Sequence, residues 1–468
     1  MKKEKVYLIG GGPGKPDLIT VRGLNILKQA DIVIYDYLVD KRIFNYLKPE
    51  TKLISCGKLA KKGEFLGSHK VDQEKINKLI VDYALAGKKV ARLKNGDPSI
   101  FSRISQELEV LVNNNIEFEI VPGVTAASAA SAYTGIPLTE RNLSSTCVFL
   151  TGQEDSRKSE SSLDWEILAK SGTIIIYMSV NSLENSVNNL IAAGKKPSTK
   201  IAIIQDISRL TQKLLIGNLD NITALAKTNK LKAPAIVIVG PVVGLEKKYN
   251  WLKKNKSILF TGLSDERFFL KGTYEHLPLI KIELLDDYRE FDKKVAKVSE
   301  YDWLVFTSRY GVRCFFTRLK AINYDNRKLY GLKAAVVGES TFRALKHRGI
   351  LADLRPQQES AKDLIEAFKK VDLKGKKVFL SRSDISDKGL ETALKAQGAK
   401  IISSVAYKNV MPPDLPDVSL DSFKEFMFTS PSTVRNFIKR YKALPQKASV
   451  SCIGQVTAKE AKRCQLLP

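Results

Sequence analysis

With 468 residues, 44% of them hydrophobic, the chain can bury more than one core, and about 100 to 200 residues per domain gives two to four domains. A formal net charge of +26 favours anionic partners such as nucleic acid, an acidic membrane surface or polyanionic small molecules. The absence of any run of five consecutive basic residues and of a ribonucleoprotein motif argues against nucleic acid, and no stretch approaches the roughly 18 apolar residues of a membrane span.

Cysteines 56, 147, 314, 452 and 464 are odd in number and form no CxxC pair. They read as thiols in the reducing cytoplasm, not as a disulfide frame or a metal site. Met1 to Lys5 lead into the short apolar run 6–9, which predicts a first strand and not a signal peptide. Apolar runs then alternate with amphipathic segments at 24–30, 32–35, 53–55, 76–86 and 90–93, the signature of α/β domains with largely parallel sheets. Pro122-Gly123 divides a first lobe, 1–122, from a second, 123–245. Polar, basic residues between the apolar runs 235–243 and 258–260 predict a linker over 246–256, followed by a further domain over 257–468.

Four polar clusters fall at predicted strand ends in the first half: Gly10-Gly-Gly-Pro-Gly14, Tyr35-Asp36, Gly57-Lys58 and Arg92-Leu-Lys-Asn-Gly-Asp-Pro98. Ligands of open α/β sheets gather at such carboxyl ends. The glycine cluster is not a dinucleotide fingerprint, because Lys15 stands where the third glycine would be.

These clusters, with Ala30-Asp-Ile-Val-Ile-Tyr-Asp36, Gln73-x-x-Ile-Asn77, Val121-Pro-Gly-Val-Thr-Ala126, Ala132-Tyr-x-Gly-Ile-Pro-Leu-Thr139, Thr151-Gly152, Tyr177-Met178 and Pro234-Ala235, resemble uroporphyrinogen-III C-methyltransferases in order over residues 5 to 245. The resemblance implies a bilobal tetrapyrrole-methylase fold, usually homodimeric, that moves methyl groups from S-adenosylmethionine to two pyrrole carbons, giving precorrin-2. It implies Asp36 as proton acceptor and Lys58 as proton donor, where the residues alone would read as a strand-end cap and a surface lysine. It implies cofactor contacts at Pro13, Asn95, Gly96, Asp97, Ile100, Thr125, Ala126 and Met178, with Asp97 on a hydroxyl or ammonium. Thr125 alone would be an N-cap, and Met178 a core filler. The family's RLKGGDPFxFGRGxEE is here RLKNGDPSIFSRISQEL, so Asn95, Ser102 and Ile104 replace glycines and Ser99 an aromatic residue. Glu140 and Gln153 replace histidines, and Ile207 stands where a small residue is usual beside the cofactor.

The second half repeats itself. Thr307 to Phe315 and Thr429 to Phe437 share the pattern TSxxxVRxF, and each is followed by GxxT, at Gly338 to Thr341 and at Gly454 to Thr457. Two similar α/β lobes are expected, 286–407 and 257–285 with 408–468. These motifs, with Tyr301-Asp-Trp-Leu-Val-Phe306, Ser360-Ala361, Val378-Phe-Leu-Ser-Arg382 and Val405-Ala-Tyr407, resemble uroporphyrinogen-III synthase, which closes linear hydroxymethylbilane while inverting its last ring. That family usually continues about one strand and one helix beyond the equivalent of Pro468. Its substrate bristles with carboxylates, which amides and hydroxyls at helix starts can bind. The residues so implied are Thr307, Ser308, Thr341, Ser381, Arg382, Thr429, Ser430 and Thr457, with Tyr407 as proton donor to the leaving hydroxyl. Helix capping and core packing are the plain alternatives for each.

Three functions follow: two consecutive enzymes feeding sirohaem or cobalamin synthesis, an active methyltransferase with a non-catalytic tetrapyrrole-binding second half, or an RNA methyltransferase. The missing RNA motifs place the last well behind.

Overall fold

In the computed structural model, which describes residues 3–48, 50–58, 73–154, 162–255, 257–264 and 273–467, the first apolar runs become five strands. They are β1 (Val6–Gly10), β2 (Ile32–Tyr35), β3 (Lys52–Ser55), β4 (Val90–Lys94) and β5 (Phe118–Val121), all parallel, in the order β3-β2-β4-β1-β5. Strand side chains alternate faces, so Leu8 enters one core with Ile34, Ile80 and Leu111, while Ile9 enters another with Leu27, Val33 and Leu93. Both faces are covered, which is why β1 and β2 read as unbroken apolar runs.

The second sheet departs from the expected parallel pattern. Its strands are β6 (Cys147–Thr151), β7 (Thr173–Tyr177), β8 (Lys200–Gln205), β9 (Lys213–Asn218) and β10 (Ala235–Val239), in the order β6-β7-β10-β8-β9. Only β6 and β7 pair in parallel. The few residues between Gln205 and Lys213 can close a hairpin, whereas a parallel return needs a long crossover.

Residues 246–255, within the expected linker, are largely helical. They form short helices, Glu246–Tyr249 and Trp251–Lys254, and Trp251 Nε1 donates to the Ala132 carbonyl at 2.6 Å on helix Ala126–Thr134. Buried Glu246 holds the turn between them through Asn250 Nδ2 at 2.6 Å and Lys253 Nζ at 2.7 Å.

The described residues divide into two compact units, one chiefly 1–257 and the other drawn from the remainder. The strands that follow are β11 (Ser257–Phe260), β12 (Thr273–His276), β13 (Lys281–Glu283), β14 (Trp303–Phe306), β15 (Lys333–Val336), β16 (Lys377–Ser383), β17 (Lys400–Val410), β18 (Glu425–Phe428) and β19 (Ser449–Cys452), all but β12 lying chiefly in the second unit. In the second unit one sheet runs β13-β17-β16-β14-β15 and the other contains β11-β18-β19 in that order. Strand β13 pairs antiparallel with the far end of β17, where Lys281 meets Val410, so residues 281–283 and 408–410, expected in the lobe 257–285 with 408–468, stand at the edge of the sheet built chiefly from 286–407. The repeated motif has a repeated structure. Each copy leaves a strand, β14 or β18, starts a helix, Arg309–Ala321 or Pro431–Tyr441, and buries its valine and phenylalanine completely.

Candidate active sites

In the first unit the loops after β1, β4 and β5 meet backbone to backbone. Gly12 and Gly96, both at positive φ, bridge through Gly96 N to Gly12 O at 2.9 Å. A methyl group on Gly123 would lie 2.3 Å from the Gly96 carbonyl oxygen and 2.7 Å from the Gly10 Cα. Glycine is required there by space, since no other residue lets three chains approach so closely. Asp97 ties the loops together: Oδ2 accepts from Gly123 N at 2.8 Å, and Oδ1 from Ser99 N at 2.7 Å and from the Ser99 hydroxyl.

The structure brings the implied cofactor residues to one place. Pro13 follows the Gly12–Gly96 bridge, and Asn95 to Ile100 form the loop beside it. Thr125 occupies the N-cap position of helix Ala126–Thr134 but does not cap it; its hydroxyl meets Tyr177 OH at 2.7 Å. Ala126 is the first residue of that helix, and the next amide, of Ala127, donates to the same phenol at 3.3 Å. Met178 follows at positive φ with its side chain exposed, so it does not fill the core. The Asn95 Oδ1 atom is buried without a hydrogen-bond partner. Ile207 turns its side chain into the core with Ile175, Ile204 and Ile236, and presents only its carbonyl to the Gly14 loop.

Asp36, at the end of β2, lies at the edge of this cradle. Its Oδ1 accepts from Arg92 Nη2 at 2.5 Å and its Oδ2 from Asn95 N at 3.2 Å. Burial works to raise its pKa, but the charges of Arg92 and Lys94 and these hydrogen bonds outweigh burial and hold it below the usual carboxylate range. Lys58 ends the turn Cys56–Lys58, and its side chain lies outside the described residues.

In the second unit, Ser308 caps helix Arg309–Ala321 by accepting from Gly311 N at 3.0 Å, and its hydroxyl also meets Tyr407 OH at 2.7 Å. Burial pushes the Tyr407 phenol above its ordinary pKa, against hydrogen bonds from Ser308 and Ser383 that lower it. Ser430 caps helix Pro431–Tyr441 in a reciprocal box with Thr433. Thr307 and Thr429 stand at the carboxyl ends of β14 and β18, half-buried, and Thr341 and Thr457 are buried near the starts of their helices. Two residues turn inward. Ser381 is buried with its hydroxyl on the Gly311 carbonyl at 3.1 Å, and the Arg382 guanidinium is taken by Glu391 at 2.8 Å and the Ser386 carbonyl at 2.5 Å.

Residues 5–223 match the tetrapyrrole (corrin/porphyrin) methylases, and residues 271–468 match the uroporphyrinogen-III synthase HemD family. The porphyrin biosynthesis protein HemD of Ruminiclostridium josui is 33% identical over 478 residues, spanning 98% of this chain and 94% of that protein. The chain belongs to this family of fused methylase and synthase domains. The S-adenosyl-L-methionine-dependent uroporphyrinogen III methyltransferase of Methanosarcina barkeri (strain Fusaro / DSM 804) is 46% identical over 242 residues, 52% of this chain and 92% of that protein. The uroporphyrinogen-III C-methyltransferase of Bacillus subtilis (strain 168) is 32% identical over 369 residues, 77% of this chain and 75% of that protein.

Several residues of the methylase half escape sequence reasoning. Tyr177 reads only as the neighbour of Met178, yet its phenol collects Thr125 and the helix start while its ring meets Phe101 at 5.1 Å. Arg92, Lys94 and Glu107 read only as members of a motif. The pointers to Glu107 are its match to the last glutamate of the family motif RLKGGDPFxFGRGxEE and its position one turn before Leu111 on the apolar face of helix Ile104–Asn113.

Proposed function

We propose that the second half cyclises hydroxymethylbilane to uroporphyrinogen III and that the first half methylates that product twice with S-adenosylmethionine, giving precorrin-2 for sirohaem or cobalamin synthesis. Residues 1–245 and 257–468 are taken as the two catalytic domains, working in the cytoplasm, with a homodimer formed through the first. The observation that carries the reading is the glycine cradle with Asp36 at its edge. The unpartnered Asn95 Oδ1, and Gly96 with no atom nearer than 4.0 Å to where a Cβ would stand, fit a ligand that approaches backbone. Pro13, Asn95, Gly96, Asp97, Ile100, Thr125, Ala126 and Met178 would hold the methyl donor, and Asp97 would do so while both its oxygens also tie loops. When bound, the donor supplies a sulfonium methyl open to in-line attack by an electron-rich pyrrole carbon.

The protein's work is then to position the partners and to move protons. Asp36, ionised at neutral pH, accepts the proton that the alkylated macrocycle must lose, and Lys58 is the assigned donor. In the second half the protonated Tyr407 gives a proton to the departing hydroxyl, oriented by Ser308, while Thr307, Thr341, Thr429, Ser430 and Thr457 bind substrate carboxylates. The inward turn of Ser381 and Arg382 favours a second reading, in which this half binds tetrapyrroles without catalysis. Supplying the full chain with hydroxymethylbilane, with and without S-adenosylmethionine, and identifying the product decides the matter. Uroporphyrinogen III without the donor and precorrin-2 with it are expected. Methylation of supplied uroporphyrinogen III with no cyclisation would select the second reading.

A further inference from the structure

Four ionisable side chains lie end to end inside the methylase half. The innermost, Glu107, exposes no surface. Its Oε1 accepts from Arg92 Nε at 2.9 Å and its Oε2 from Lys94 Nζ at 2.9 Å, and Arg92 continues through Nη2 to Asp36. Side-chain exposure rises from 0% at Glu107 through 2% and 3% at Lys94 and Arg92 to 28% at Asp36, so the network leads from the core to the cradle.

Such a network is a poor way to stabilise a fold, because apolar residues of similar volume commonly do as well or better. A leucine at position 107 would pack beside Leu111. What the carboxylate does is geometric. It engages the Nε edge of Arg92, while Nη1 donates to the carbonyls of Ile34 at 3.4 Å and Leu93 at 3.2 Å. Asp36 is left with one guanidinium nitrogen, and its second oxygen meets only a backbone amide.

We propose that Glu107 is a positioning residue for methyl transfer, fixing Arg92 so that it orients Asp36 without clamping it. This rests on the methylase reading above. In Glu107→Gln the guanidinium loses its charged inner partner and can turn two nitrogens to Asp36, which makes that carboxylate a weaker proton acceptor. Lys94 loses its direct counter-charge. The charged groups facing Lys94 are Arg92, Glu107 and Asp36, and the Cys56 thiol faces Arg92.

The test uses the full chain as wild type, Glu107→Gln, Glu107→Asp and the double variant Glu107→Gln/Lys94→Met. Three quantities are measured: S-adenosylhomocysteine binding by calorimetry, methyl transfer to supplied uroporphyrinogen III, and thermal unfolding from about pH 6 to 9. Glu107→Gln should bind S-adenosylhomocysteine within about threefold of wild type, yet lose about 10- to 100-fold in kcat with KM little changed. Glu107→Asp, which keeps the charge on a shorter arm, should recover part of kcat. The unfolding midpoint of Glu107→Gln should fall below wild type at pH 6 and approach it by pH 9. An uncompensated buried Lys94 has a folded pKa below its unfolded one, so the folded state binds fewer protons and stability rises with pH. Wild-type kcat in folded Glu107→Gln would overturn the proposal. So would recovery of both kcat and unfolding midpoint in the double variant, since charge balance alone would then explain the residue. A wild type that cannot methylate uroporphyrinogen III would sink the functional reading instead, and the unfolding series would still judge the arrangement: a gap that does not narrow with pH overturns it.

Discussion

Asp36 illustrates how a residue's surroundings set its chemistry. An isolated strand-end aspartate would have a pKa of about 3.9, whereas the opposing charges of Arg92 and Lys94 hold this one lower against the effect of burial. The sign is fixed by that direction. Stability contributed by the pair is present above the unfolded pKa and is lost as pH falls through the folded value. Asp36 should therefore stay ionised throughout pH 5 to 8 and add no inflection to the pH–rate profile of methylation there. A profile limb in that window that disappears in Asp36→Asn would show its pKa to be raised. The same substitution should spare S-adenosylhomocysteine binding and cost about 10² to 10⁴ in rate, the usual contribution of a general base, measured with supplied uroporphyrinogen III. Unchanged turnover would reduce Asp36 to a partner for Arg92. Its position is legible from the sequence because it closes an apolar run. Its ion pair is not, because Arg92 lies 56 residues away. Glu107 is less legible still: a helical glutamate usually reads as a solvated charge, and only its separations of 15 and 13 residues from Arg92 and Lys94, closed by the fold, make it a buried counter-ion.

At the scale of elements, the site is a set of strand ends held at backbone distance. The parallel sheet of the methylase half is legible because both its faces are buried and strands such as β1 and β2 read as apolar runs. The antiparallel hairpin β8–β9 is not, because alternation of apolar and polar segments carries no sign of strand direction. Glycines separate the two kinds of constraint. Gly123 has no neighbour-free side, so Gly123→Ala should force the β1, β4 and β5 loops apart, costing about 1 to 3 kcal/mol and weakening S-adenosylhomocysteine binding. Gly194 is at φ 93° with nothing within 4 Å of where a methyl group would stand, so Gly194→Ala should cost only its backbone strain, about 1 kcal/mol, and leave binding intact. Chemical denaturation with calorimetric titration checks both. Equal binding in the two variants would mean that the cradle does not receive the donor.

On the scale of the whole molecule, the doubled TSxxxVRxF pattern is largely a folding device. Its serines cap helices, its valines and phenylalanines fill cores, and its arginines are exposed. The threonines are the members left over by that accounting, standing at the ends of β14 and β18 in different sheets. If the synthase half grips a polycarboxylate between matched strand ends, Thr307 and Thr429 each supply a hydroxyl to a charged group and neither performs chemistry. A hydrogen bond to a charged partner is worth about 1.5 to 3 kcal/mol, so Thr307→Val and Thr429→Val should each weaken binding or slow cyclisation by roughly one to two orders of magnitude. Methylation of supplied uroporphyrinogen III should be unaffected in both, since the cradle is assembled wholly from residues of the first unit. Both activities are to be assayed in both variants, with circular dichroism as the control for folding. Wild-type cyclisation in both would assign the threonines to the fold along with the rest of the motif, and a fall in methylation would show that the two halves do not act independently.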